Sequence, residues 1–230
     1  EENKLKFYQI KNNIDEFLDI NQLKGHFFSI KDLKIHNDKI FISFTNEVSD
    51  GCWNISVIFA DINLDELKFK KIFFPNECIK TKNEDNEFLA IQSGGRIDVI
   101  DDNSILLSVG DFRYRKQAQN LNSLFGKIIK INLKNSKYEI ISLGHRNPQG
   151  LFYDAEKKMI LSTEHGPQGG DEVNLINLKK SESLPNYGWP IASYGEHYGG
   201  KSEKNKNKYK KYPLLKSHSQ NGFYEPIKFF

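Results

Sequence analysis

LKIHNDKIFISFT (33–45), RIDVIDDNSILLSVG (96–110) and LFYDAEKKMILSTE (151–164) share one plan: an apolar strand, a polar turn and a second apolar strand. Each reads as a β-hairpin. Within them Ile40-Phe41-Ile42-Ser43, Ile105-Leu106-Leu107-Ser108 and Met159-Ile160-Leu161-Ser162 occupy equivalent places. Further strand-like runs lie between the hairpins, from Ile55 to Ile62, Lys68 to Phe74, Lys127 to Leu133 and Tyr138 to Leu143, and would complete four-stranded units. A hairpin recurring every 50–65 residues suits propeller blades that carry insertions. No long helical pattern separates the strands, which argues against a parallel βαβ architecture. A β-sandwich is the competing all-β arrangement, but a sandwich does not call for a hairpin repeated at this length.

Composition points the same way. The 230 residues contain 17 Phe and 10 Tyr, and 38% of residues are hydrophobic, enough for a substantial core rich in strand-forming side chains. Net charge is only +3, with lysines scattered among acids, so nothing calls for a nucleic-acid partner. The basic run from Lys201 to Lys211 reads as a solvated loop. No stretch approaches the ~20 apolar residues that span a bilayer. Cys52 and Cys78 are the only cysteines; they allow one disulfide or two buried thiols.

A hairpin's first strand begins at the same end at which its second strand finishes, so the loops before and after each repeat converge on one face. For the second repeat these loops are Gln92-Ser93-Gly94-Gly95-Arg96 and Gly110-Asp111-Phe112-Arg113. For the third they are Gly144 to Gly150 and Glu164 to Glu172. One face is therefore expected to collect Asp111, Arg146, His165 and Glu172 beside glycines that permit close backbone approach to a ligand.

The strings GHRNPQGL (144–151), TEHGPQGGDEVN (163–174) and NYGWP (186–190), with GGR (94–96) and VGD (109–111), resemble the glucose/sorbosone dehydrogenase family. The resemblance runs from about Gly25 to the last residue. It implies a six-bladed β-propeller that uses pyrroloquinoline quinone (PQQ) and calcium to oxidise aldoses, in the periplasm or outside the cell. Arg146 would then contact the quinone C5 oxygen and the substrate hydroxyl, Asn147 and Gln149 would hold the cofactor edge, and His165 would wall the pocket. The Gly166 and Pro167 carbonyls would ligate the calcium that bridges protein and cofactor. Glu172 and the carbonyl of Tyr187 match a second calcium site, and Trp189-Pro190 is expected to end and cover a blade. Arg146 alternatively serves as an inter-blade ion-pair partner.

Two departures from the family pattern stand out. The position of the histidine that removes the C1 hydroxyl proton holds Gln92, and Asp111 matches the carboxylate that orients that histidine. A neutral amide is not a general base near pH 7. Either Asp111, His145 or His165 takes the proton, or the propeller binds a sugar or cofactor without oxidising it. The second departure is length: at roughly 50 residues per blade, 230 residues supply about four blades. The expectation is a single incomplete propeller domain over 1–230, cut at both ends, with Pro226 to Phe230 entering a next blade. The sugar's identity and the electron acceptor are left open.

Overall fold

The computed structural model describes residues 9–18, 29–179, 183–200 and 203–230. Gly25 and Lys201, named above, lie outside the described residues. The first sheet holds β1 (Ile30–His36), β2 (Lys39–Ser49), β3 (Cys52–Asp61) and β4 (Lys70–Phe73), and Ile79–Lys80 adds a short edge to β3. The second sheet runs β5 (Gly94–Asp101), β6 (Ser104–Val109), β7 (Lys127–Asn132) and β8 (Tyr138–Leu143). The third runs β9 (Pro148–Asp154), β10 (Met159–Glu164), β11 (Glu172–Asn177) and β12 (Lys228–Phe229). A fourth, two-stranded sheet pairs Lys11–Asn12 with Glu66–Leu67. Each of the three larger sheets is an antiparallel meander in sequence order, the form of a propeller blade, and the four sheets do not close a barrel.

The hairpins read from sequence are the two inner strands of each blade. Asn37 and Asp38 form the two-residue turn between β1 and β2, with φ of 45° and 55°. Two successive left-handed residues make the tight turn that matches strand twist, and Asn and Asp tolerate it. The first strands β1, β5 and β9 lie side by side. Carboxylates on β1 and β5 tie each to the next blade: Asp32 accepts the Ile97 N–H at 2.8 Å and the Arg96 guanidinium at 3.0 Å. Asp98 in turn accepts the Tyr153 N–H at 2.6 Å and the Lys34 ammonium at 2.7 Å.

Strand β6 explains why SILLSV is apolar on both faces. Ile105, Leu107 and Val109 pack with Phe41, Ile55 and Val57 of the first blade, while Leu106 packs with Ile160 and Ile176 of the third. Successive strand side chains point to opposite faces, and the middle blade has a neighbour on each. Lys127 on β7 is fully buried, and its ammonium donates to the carbonyls of Gln117, Ala118 and Phe125 at 2.7–3.0 Å. Those bonds fasten the loop that runs from Asp111 to β7. Burial draws the Lys127 ammonium down to about 7.

Two local expectations change. Pro226 to Phe230 does not enter another blade: Lys228 and Phe229 pair with Val173 and Glu172, completing the third blade's edge. The basic run is not simply a solvated loop, because Glu203–Tyr209 forms a short helix, α1, ending in buried Tyr209. Lys211 pairs with Glu84 at 2.7 Å, so the aromatic and charged anchors of this run hold it against the 84–87 turn. Among the described residues no helix is long and apolar enough to cross a membrane.

Cys52 and Cys78 form a disulfide, deciding between the two alternatives their presence allowed. It fastens the start of β3 to the edge segment at Ile79. With a sequence separation of 26 between the partners, loop-closure entropy predicts that a Cys52→Ala, Cys78→Ala double variant loses about 3 kcal/mol of unfolding free energy. Urea denaturation measures this, and an unchanged midpoint would contradict it.

Candidate functional site

The convergence expected of the hairpin loops is present, and Asp111 sits at its centre with no exposed surface. Gly110 lets it get there: a Cβ at Gly110 would lie 2.4 Å from the Gln92 carbonyl oxygen. The Gln92 amide donates to Asp111 Oδ1 at 2.6 Å, and the Arg113 N–H donates to the same oxygen at 2.8 Å. The indole N–H of Trp189 donates to Oδ2 at 2.7 Å. Burial raises the Asp111 carboxyl above its usual range, opposed by the Arg146 charge and by these donors.

Arg146 is held at both ends. Its backbone N–H donates to Glu164 Oε2 at 2.7 Å, and its carbonyl accepts the Asp111 N–H at 3.0 Å. Its guanidinium donates to the His165 carbonyl at 2.7 Å and lies 5.4 Å over the Trp189 ring. No carboxylate pairs with it directly among the described residues, so the inter-blade ion-pair role does not describe it. Burial lowers its affinity for a proton and the Asp111 charge only partly opposes this, but a guanidinium stays charged. Glu87, Arg113, Arg115, Arg146, Trp189 and Tyr198 are among the residues that border a small cleft.

The other sequence-derived residues divide into groups. Asn147 uses its side-chain oxygen to accept the Gly94 N–H at 3.0 Å, joining blades, and its NH2 has no hydrogen-bond partner among the described residues. Gln149 is half-buried and lies with His165 and Glu172 along a separate groove rather than in the arginine cleft. His165 is exposed, with Nδ1 3.4 Å from Asp171. His145 is fully buried, with Nδ1 2.9 Å from Glu164, Nε2 2.7 Å from Ser142 Oγ, and its ring stacked on Tyr187. Both nitrogens are committed, so His145 is an anchor of the 144–147 turn and not an accessible base.

Gly166 and Pro167 occupy a tight turn in which the Gly166 N–H donates to Asp171 Oδ1 and the Pro167 carbonyl accepts the Gly170 N–H at 3.0 Å. A Cβ at Gly166 would overlap the Gly170 carbonyl oxygen at 1.6 Å, so only glycine fits. Glu172 is buried nearby, and burial, reinforced by the Glu164 charge, lifts its carboxyl well above the usual range. Asn174 donates to Glu164 at 2.8 Å, while its own side-chain oxygen finds no partner. His218 Nε2 lies 3.6 Å from Glu172, and buried Tyr187 spans from this cluster to the Leu175 carbonyl. Among the described residues no three His, Cys, Asp or Glu side chains are arranged to hold a metal ion.

Sequence reasoning missed Trp189 and Arg113. Trp189 was expected to cover a blade, yet its indole reaches the buried carboxylate; the NYGWP string was the available signal. Arg113 follows Phe112, and both take left-handed backbone conformations, with φ of 61° and 51°, that turn the arginine toward Gln92.

The fold and the site together define a β-propeller protein with a polar cleft where the inner-hairpin loops converge. The chain belongs to the glucose/sorbosone dehydrogenase family, whose model matches residues 31–219. The aldose sugar dehydrogenase YliI of Escherichia coli (strain K12) is 29% identical over 178 residues, covering 70% of this chain and 44% of that protein. The soluble aldose sugar dehydrogenase of Escherichia coli in its apo form shares the fold at a TM-score of 0.67 and 24% identity, over 88% of this chain and 58% of that one. The PQQ-bound aldose sugar dehydrogenase of Streptomyces coelicolor does so at a TM-score of 0.56 and 22% identity, over 84% and 49% of the two chains. The chain thus spans less than two thirds of each of these relatives.

Replacing Trp189 by Phe keeps the ring but removes the donor to Asp111 Oδ2. Leaving a buried carboxylate oxygen unpaired is expected to cost about 1–3 kcal/mol. Urea unfolding of the variant would show it, and an unaltered stability would place the Trp189–Asp111 bond among dispensable contacts.

Proposed function

We propose that the whole protein is a sugar dehydrogenase that oxidises an aldose at C1 using PQQ and calcium. The observation that carries this reading is the Arg146 guanidinium: it borders the cleft, held by the His165 carbonyl and the Trp189 ring, and among the described residues no carboxylate pairs with it directly. A fixed cation so placed stabilises negative charge that develops on an oxygen in the cleft, and it does so without reorganising. Arg146 and Asn147 are the residues that would hold the quinone; Gln149, expected to join them, lies along the neighbouring groove. When bound, the quinone supplies a hydride acceptor.

The donor set near Glu172 fits a hard cation. The buried Glu172 carboxyl and the side-chain oxygen of Asn174, which has no partner among the described residues, are oxygen groups that a divalent ion would satisfy. Glu172 with the Tyr187 carbonyl would hold that ion, and the Gly166 and Pro167 carbonyls would hold the one beside the quinone. Pro167 already accepts one N–H, which leaves its second lone pair. The Cys52–Cys78 disulfide supports an oxidising compartment, the periplasm or the exterior.

Gln92 favours a second reading, binding without oxidation. Its N–H is spent on Asp111 and its oxygen faces Arg113, so it neither takes a proton nor releases Asp111 to take one. Of the alternative bases, His145 is enclosed, His165 is exposed, and Asp111 has the raised affinity for a proton but both oxygens occupied.

Full-length protein loaded with calcium and PQQ is expected to reduce an artificial electron acceptor when given aldoses; inactivity over a broad sugar panel would reject the dehydrogenase. Gln92→His should raise turnover by ~10²–10⁴-fold, the usual worth of a general base. In the absence of quinone, calcium should raise the melting temperature of the wild type, and Glu172→Gln should diminish that rise. An equal rise in both would remove Glu172 from the ligand set.

A further inference from the structure

We propose that Arg113 is a specificity-determining residue that selects a sugar carrying an anionic group, a carboxylate or a phosphate. The inference rests on the sugar-binding reading and names the substrate class of the same cleft.

The charges around the cleft are unequally answered. Arg115 is bonded to Glu87 and lies 3.5 Å from Asp85, and the hydroxyls of Tyr209 and Tyr212 cap those two carboxylates. Arg146 feels the charge of buried Asp111 and donates to the His165 carbonyl. Arg113 is the least well answered of the three among the described residues. Among the described residues no carboxylate pairs with it, and its one polar side-chain contact is the long 3.4 Å approach of Nε to Gln92 Oε1. Its guanidinium stands 6.0 Å from the Tyr198 ring and close enough to Arg146 to depress that group.

The base of Arg113 is nevertheless fixed. Its N–H is held by Asp111, and the preceding Phe112 ring is locked between Phe88 and Phe125 in the core. A half-buried guanidinium on an anchored turn, beside a second one, retains a fork of N–H donors suited to bidentate contact with a carboxylate or phosphate. A neutral sugar hydroxyl offers a single weaker acceptor. The Gln92 amide fits this arrangement, since its oxygen accepts from Arg113, whereas a protonated histidine there would repel it.

The test is isothermal titration calorimetry on the whole protein without quinone, with glucuronate, glucose 6-phosphate and glucose as probes. Wild type is expected to bind at least one charged sugar at least ~10-fold more tightly than glucose, in line with a charge-assisted bond, and less so at high salt. The relative affinities of glucuronate and glucose 6-phosphate distinguish carboxylate from phosphate. Arg113→Gln should bring charged and neutral sugars within about twofold of each other, and Arg113→Lys, which keeps charge but loses the fork, should fall between.

Equal wild-type affinity for charged and neutral sugars would overturn the proposal, whatever the variants do. So would an Arg113→Gln protein that keeps the discrimination, or one that loses only PQQ affinity, which would assign Arg113 to the cofactor. A charged-sugar preference in binding without turnover would refute the dehydrogenase and leave this inference standing. Turnover of neutral and charged aldoses alike, with no binding preference, would do the reverse.

Discussion

Asp111 is a carboxylate with no exposed surface, and three of the residues that border the cleft, Arg113, Arg146 and Trp189, are hydrogen-bonded to it. Three donors converge on its two oxygens from three places in the chain: the Gln92 amide, the Arg113 backbone and the Trp189 indole. Its own N–H reaches the Arg146 carbonyl. A buried charge is tolerable only when it is hydrogen-bonded and faced by an opposite charge. Satisfying Asp111 therefore brings together the loop before β5, the turn after β6, the 144–147 turn and the 186–190 segment. The cleft's geometry is a consequence of neutralising one group.

The same constraint explains the unusual chemistry at Gln92. In a site arranged around a histidine, the buried carboxylate would orient the ring and stabilise its charged form. Here the amide is one of three donors that satisfy the carboxylate, and it takes no proton. Positive charge in the cleft is then supplied by Arg146 and Arg113 without a titrating partner on the Gln92 side. The buried arginine, the glycine-only turn at Gly166 and the acidic residues around Glu172 lie in the same loops.

Much of the fold was legible because its signals are local. The Asn37-Asp38 turn, the period-two strands and the recurrence of the hairpin each depend on nearest neighbours in sequence, and all reappear in the blades. The Glu203–Tyr209 helix was missed because its polar lysines and asparagines carry no apolar periodicity; Tyr209 and the Glu84–Lys211 pair anchor it from outside the segment. The pairing of residues 228–229 with β11 was missed for a related reason: more than fifty residues of chain separate the partners, and no local feature encodes which sheet edge a terminal strand joins.

By itself, the sequence determined the propeller class, the family strings and the face on which Asp111, Arg146, His165 and Glu172 would gather, since strand alternation and hairpin geometry fix where loops emerge. Only the tertiary structure decided which of those groups are spent and which are free. His145 is consumed by Glu164 and Ser142, Trp189 is drawn from a covering role to the buried carboxylate, and Arg113 is left without a counter-charge among the described residues. Burial and long-range pairing set those outcomes, because whether a polar group is free depends on every neighbour that reaches it, and those neighbours come from distant parts of the chain.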